Sequence, residues 1–156
     1  MQLVDLLTPS RVVADARATS KKRLLESLSK LLDERGTSDS ERAIFDSLCR
    51  REKLGSTGLG SGVALPHGRT KEVVKGVGAF VRLAEPVDFG SPDTQKVDLV
   101  FALVVPEHFT DQHLVLLAQL AQLFSDAELV AALRRARNSA ELYALLAGWQ
   151  ERHVAA

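Results

Sequence analysis

Apolar residues recur at helical spacing early in the chain, through Leu24, Leu25, Leu28, Leu31 and Leu32. The pattern predicts an amphipathic helix after Thr19–Ser20, with Gly36 as the left-handed residue that ends it. Ser38 and Glu41 have the spacing of a capping box for a second helix. Its apolar stripe is Ile44, Phe45, Leu48 and Cys49, and Gly55 closes it. The period then changes. Val63–Leu65, Gly78–Leu83 and Val97–Val105 read as strands, the last two stopped before Pro86 and at Pro106, and Arg11–Ala14 reads as a further short one. Residues 97–105 are apolar for nearly their whole length, the mark of a strand buried on both faces.

The last third returns to helical spacing. Thr110 or Asp111 caps a helix carrying Leu114, Leu117, Leu120, Ala121 and Phe124. Ser125 and Glu128 form a capping box for a helix with Leu129, Val130 and Leu133. Asn138 caps a final helix with Leu142, Leu145, Leu146 and Trp149, beyond which fraying is expected. Helices at both ends with strands between predict a layered α/β domain whose strand order the pattern does not contain.

Composition narrows the class. A chain of 156 residues that is 46% apolar can bury the core of one compact domain spanning 1–156. Twenty Lys and Arg balance twenty Asp and Glu, against generic nucleic-acid binding, which shows a basic excess. The single cysteine, Cys49, excludes an internal disulfide or a Cys-cluster zinc site and reads as a packed thiol. No apolar run approaches the roughly 20 residues of a membrane span. Met1–Asp5 lacks the basic start and apolar stretch of a signal peptide. A cytoplasmic protein without membrane insertion is therefore expected.

The glycine-rich segment Gly55–Gly62 invites a nucleotide reading, which fails on inspection. Gly55 and Gly60 have the P-loop spacing, but Ser61 and Gly62 follow where lysine is required. From Gly58 and Gly60 the third glycine of a dinucleotide loop would fall on Val63, and the segment precedes a strand rather than a helix. Pro66-His67-Gly68 follows, a histidine at the end of a short apolar strand with a restricted residue before it and room after it. Imidazole is the side chain able to act as a nucleophile or proton carrier near neutral pH. Alone, such a histidine is more often an ordinary turn residue.

The stretch from Arg51 to Gly68, REKLGSTGLGSGVALPHG, resembles the active-site signature of the fructose/mannitol-type EIIA proteins, carriers of the bacterial phosphoenolpyruvate-dependent phosphotransferase system, and above all their nitrogen-regulatory branch. Val97–Leu103 resembles the family's central strand, Gln112-His113-Leu114 the start of its following helix, and Glu141-Leu142-Tyr143 its terminal helix. The resemblance implies a mixed β-sheet flanked by helices. It implies His67 as phosphoacceptor, His113 as second active-site histidine and Arg51 facing the phosphoryl group, with Ser56 and Thr57 bordering the site. Phosphoryl transfer asks mainly for positioning and charge stabilisation. Gly68 would let backbone N–H groups approach the phosphate, Arg51 would offer a forked pair of donors, and Ser56 and Thr57 would add hydroxyls. His113, in the first turn of its predicted helix, would share an anion with the helix N-terminus.

The implied function is a phosphohistidine carrier needing no cofactor or metal. It would be charged by an HPr-like donor protein and act on regulatory targets in nitrogen, potassium or carbon metabolism, such as potassium transport or sensor-kinase proteins. Leu54 and Leu59 are candidates for the donor interface. No IIB or IIC segment follows in the chain, which favours a regulator over the IIA component of a fructose or mannitol transporter. A metal hydrolase built on His67, His113, His108 and Glu107 or Asp111 is disfavoured, because His108 and His113 are five apart rather than at helical i, i+4 spacing. The remaining alternative is a protein-binding module without phosphate chemistry. His108 and His153 read as exposed, and Arg134, Arg135 and Arg137 as a solvated helix face.

Overall fold

The computed structural model describes residues 3–154. Of the amino-terminal run read for targeting signals, Met1 and Gln2 lie outside the described residues, as do Ala155 and Ala156 of the expected frayed end. In chain order the helices are α1 (Leu3–Leu6), α2 (Lys21–Leu32), α3 (Ser38–Lys53), α4 (Asp111–Phe124), α5 (Ala127–Arg135) and α6 (Ser139–Val154). The strands are β1 (Val12–Ala16), β2 (Gly58–Gly60), β3 (Val63–Ala64), β4 (His67–Thr70), β5 (Val77–Val87) and β6 (Val97–Pro106). They form one mixed sheet in the order β1-β5-β6-β3-β2, with β4 also paired to β6.

β6 is the central strand, as its apolar run predicts. It pairs antiparallel with β5 on one side and parallel with β3 and then β4 on the other. Because successive strand residues face opposite sides, Leu99, Phe101, Leu103 and Val105 enter one core with Leu6 and residues of α4, α5 and α6. Val100, Ala102 and Val104 enter a second core with Leu24, Leu28, Ile44 and Leu48 of α2 and α3. Helices thus cover both faces.

Several helix ends differ from the sequence reading. α2 stops at Leu32, and Gly36, at φ 73°, lies in the linker beyond it. The Asp33 carboxylate accepts from the Arg35 N–H at 3.1 Å and the Ser40 hydroxyl at 2.7 Å, and this turn bends the chain before Gly36 is reached. Thr37, not Ser38, caps α3, accepting from Ser40 N. Asp126, not Ser125, caps α5, accepting from the N–H groups of Glu128 and Leu129. Asn138 does meet the start of α6, accepting from Glu141 N at 2.9 Å. That helix continues to Val154 rather than fraying after Trp149, whose indole N–H donates to Asp126 at 2.9 Å. The side chain of His153 lies outside the described part.

The inward stripe of α4 is also displaced. Buried there are His113, Leu116, Leu120, Leu123 and Phe124, whereas Leu114 and Ala121 are exposed. Residues 114–117 are all apolar, so periodicity alone cannot phase that helix. Pro86 does not end β5, which runs on to Val87. A short strand, β2, forms inside the glycine-rich segment by pairing with β3.

Candidate functional site

His67 does not end the strand it follows; it opens a new one. β3 pairs with Leu99 and Val100 of β6, and β4 resumes the pairing with His67 opposite Leu103. Between them Leu65 and Pro66 interrupt the strand without changing its register, and the Pro66 carbonyl accepts from Leu103 N at 3.0 Å. The break leaves the carbonyl of Leu65 facing the His67 ring, with Nδ1 at 2.8 Å. A carbonyl only accepts, so Nδ1 carries the proton and Nε2 holds the lone pair. Sequence could not choose between the nitrogens; the strand break does.

His113, from the first turn of α4, meets His67 edge to face, with ring centroids 5.3 Å apart and planes at 78°. Burial, then the neighbouring His67 and Arg69, pushes His113 from 6.5 down to about 4. His67 is also lowered, first by burial and then by the Arg51 charge, against the opposing pull of the Leu65 carbonyl and Glu52. Both rings are therefore neutral near pH 7. Nε2 of His113 is buried and has no hydrogen-bond partner among the described residues. An unpartnered buried nitrogen is uncommon, and here it belongs to a side chain that lines an open cavity.

That cavity, of about 710 Å³, lies between α3, β4 and the start of α4. Arg50 and Arg51 reach it from the last turn of α3, where cations suit the helix dipole. Arg69 reaches it from β4, one strand alternation past His67. Arg51 also donates to the carbonyl of Gly55 at 2.9 Å. The site is thus electropositive in a chain of zero net charge, which suits a small anion with several oxygens.

Of the residues read from sequence, the structure brings His67, His113, Arg51 and Gly68 together. It does not bring Ser56 and Thr57 into the cavity. Ser56 donates to the carbonyl of Phe89 at 3.2 Å, and the buried Thr57 hydroxyl donates to Glu52. Gly68 lies against α3: a methyl group there would come within 2.5 Å of Ser47 Oγ and 2.8 Å of its carbonyl carbon. Leu54 lines the cavity and is 84% exposed, joined on the open side by exposed Leu114; Leu59 is exposed outside the cavity lining. Arg50 and Arg69 were missed, although His-x-Arg at strand spacing was a readable signal for Arg69.

His108 is exposed, with its ring against Phe109. The basic run is not merely solvated. Arg134 forms a two-pronged pair with Asp98, at 2.9 and 3.0 Å, and donates to the carbonyl of Ser61 at 2.6 Å, while Arg137 pairs with Glu141 at 2.8 Å. Burial pushes the Cys49 thiol up, away from reactivity. No cluster of side chains suited to a metal ion occurs among the described residues. No single helix among them is long and apolar enough to cross a membrane.

Residues 5–148 match the family described as the phosphoenolpyruvate-dependent sugar phosphotransferase system, EIIA 2. A nitrogen regulatory protein of Bradyrhizobium diazoefficiens is 42% identical over 94% of this chain and 95% of its own length. The crystal structure of nitrogen regulatory protein IIA-Ntr from Neisseria meningitidis superposes with a TM-score of 0.86 at 45% identity, over 92% of this chain and 98% of that one. The IIA mannitol enzyme of Escherichia coli, solved in complex with phosphorylated IIB mannitol enzyme, shares the fold, with a TM-score of 0.74 at 24% identity over 91% and 97% of the two chains.

Proposed function

The chain belongs to the EIIA type-2 family of the phosphoenolpyruvate-dependent phosphotransferase system, and from that premise we propose that it carries a phosphoryl group on Nε2 of His67. The observation that carries this reading is the Nδ1–Leu65 hydrogen bond beside a cavity bearing three arginines, Arg50, Arg51 and Arg69. It presents one ring nitrogen as the nucleophile and surrounds the place of transfer with positive charge.

The transfer balances without an added acid. The Nε2 lone pair of His67 forms the N–P bond as the donor's P–N bond breaks. The electron pair of that bond returns to the donor nitrogen, and the Nδ1 proton of His67 remains shared with the Leu65 carbonyl. Arg51, Arg50 and Arg69 hold the phosphoryl oxygens, which in a loose transition state carry most of the charge. Neutral His113, in its Nε2–H tautomer, satisfies its buried nitrogen by donating to one of them. Family members are phosphotransferase components, and this chain takes that role as a phosphohistidine intermediate.

The donor is an HPr-like protein that docks over exposed Leu54 and Leu114, with the arginines as a polar rim. The near end-to-end match to nitrogen regulatory proteins supports regulation in the cytoplasm, of potassium, nitrogen or carbon functions, over sugar transport. One added phosphate changes the charge of this face by about −2 and so changes which partners it fits.

The test is phosphorylation by a phosphoenolpyruvate, Enzyme I and HPr-like relay, read by intact mass. Wild type is expected to gain one acid-labile phosphate, and His67→Ala to gain none. A folded wild type that gains none from several donors would sink the carrier reading and favour a binding module.

A further inference from the structure

Lys21 and Glu52 occupy positions that helix electrostatics disfavours. Lys21 is the first residue of α2, where the dipole is positive, and Glu52 lies in the last turn of α3, where it is negative. Their side chains meet at 2.8 Å, with that of Glu52 only 6% exposed. A buried ion pair of this kind is weak evidence for stability, because desolvation offsets the attraction. Its presence against the local rule points instead to what the pair holds.

It holds the entrance of the glycine-rich segment. The Glu52 carboxylate accepts from the N–H of Thr57 at 3.3 Å and from its hydroxyl. Lys21 donates to the carbonyl of Phe89 at 3.1 Å and lies 4.3 Å from the centre of its ring; Ser56 donates to the same carbonyl. On the helix residue before Glu52, Arg51 grips the carbonyl of Gly55 at 2.9 Å. Two neighbouring side chains of α3 therefore clamp Gly55 and Thr57, and one of them is also the arginine that reaches the His67 cavity.

Resting on the carrier reading, we propose that Lys21 and Glu52 are positioning residues for phosphoryl transfer, fixing the end of α3 and the segment after it so that Arg51 meets the phosphoryl group at His67. Thr57 then serves the site through Glu52 rather than as a phosphate ligand. Glu52 also acts on His67 as a negative charge, among the facing groups Arg50 and Arg51 on the same helix, Arg69 in β4, His113 in α4 and Glu107 at the cavity edge.

The experiment uses phosphoramidate, a small donor that bypasses protein docking. Its P–N bond breaks, ammonia leaves with the bonding pair, and the phosphoryl group bonds Nε2 of His67. Glu52→Gln, Lys21→Met, Thr57→Val and the Lys21→Met/Glu52→Gln pair are compared with wild type by intact mass, with circular dichroism reporting the folded fraction. Glu52→Gln is expected to lower the rate at saturating phosphoramidate by about ten- to a hundredfold, with little change in the half-saturating concentration. The pair is expected to be no slower than Glu52→Gln alone, because the two residues act as a unit. The acid limb of the rate should move to lower pH in Glu52→Gln, since loss of the negative charge eases protons off His67; a merely structural role leaves that limb in place. Thr57→Val, which keeps both charges, should slow transfer severalfold and keeps the test valid if a charge variant does not fold. Wild-type rates in folded variants, or losses that only follow the unfolded fraction, overturn the inference while leaving the carrier reading intact. Absence of label on wild type, with His67 present, overturns that reading and this inference together.

Discussion

Both site histidines are held neutral by burial, and this sets a pH signature. An unfolded histidine takes up its proton near 6.5, whereas folded His113 resists protonation to about 4. Between those values the unfolded chain binds more protons, so stability falls as pH drops through the window and is flat above it. Urea titrations at pH 7 and pH 5 should show His113→Gln losing less than wild type, by on the order of 1–2 kcal/mol. An equal loss in both proteins would place the responsible group elsewhere; His67, lowered in the same direction, is the next candidate. At this scale the sequence was informative where a long motif fixed identities: His67, Arg51, His113 and Gly68 all reach one place. It placed Ser56 and Thr57 beside the phosphate, whereas they bond the Phe89 carbonyl and the Glu52 carboxylate, because a hydroxyl in a glycine-rich loop looks alike whatever acceptor it faces.

At the scale of elements, the site depends on how closely β4 lies against α3. Gly68 permits that approach, and the obstruction to a methyl group includes a backbone atom of Ser47, which cannot rotate aside. Gly68→Ala should therefore cost about 1–3 kcal/mol in chemical denaturation. It should also displace the strand that carries His67, so phosphate uptake slows in the fraction that remains folded. Unchanged stability would mean that α3 yields more easily than its packing suggests. The helices of the first third were legible because each shows one clear period, and the central strand because its nearly unbroken apolar run is stopped by Pro106. α4 was not phased correctly, since four consecutive apolar residues, 114–117, fit several faces. The face is selected by contacts between residues far apart in sequence, His113 against His67 and Leu116, Leu120 and Leu123 against the sheet core.

For the molecule as a whole, the sheet and the α5 end of one helical layer are joined by a buried cation. Arg82 of β5 donates to the carbonyls of Leu133, at 3.0 Å, and Ala136, and pairs with Asp15 at 3.4 Å. These carbonyls close α5, and the guanidinium supplies the partners that helix ends require. Arg82→Met keeps the apolar stem but leaves both carbonyls buried and unpaired. Roughly 2–4 kcal/mol of unfolding free energy should be lost, measured by urea titration. A loss below about 0.5 kcal/mol would show that water reaches those carbonyls in the variant. Arg82 read as one more strand residue in the sequence, because its partners lie 51 and 54 positions away.

The layering has a further consequence. His67 belongs to the sheet, Arg51 to the helical layer on one face and His113 to the layer on the other. A molecule with only one layer docked has the His67 ring without its full set of neighbours. Any chemistry at His67 that needs both Arg51 and His113 is thus confined to chains in which both layers have docked on the sheet. The site would act as its own proof-reader: a tag placed there would certify that both layers have met the sheet.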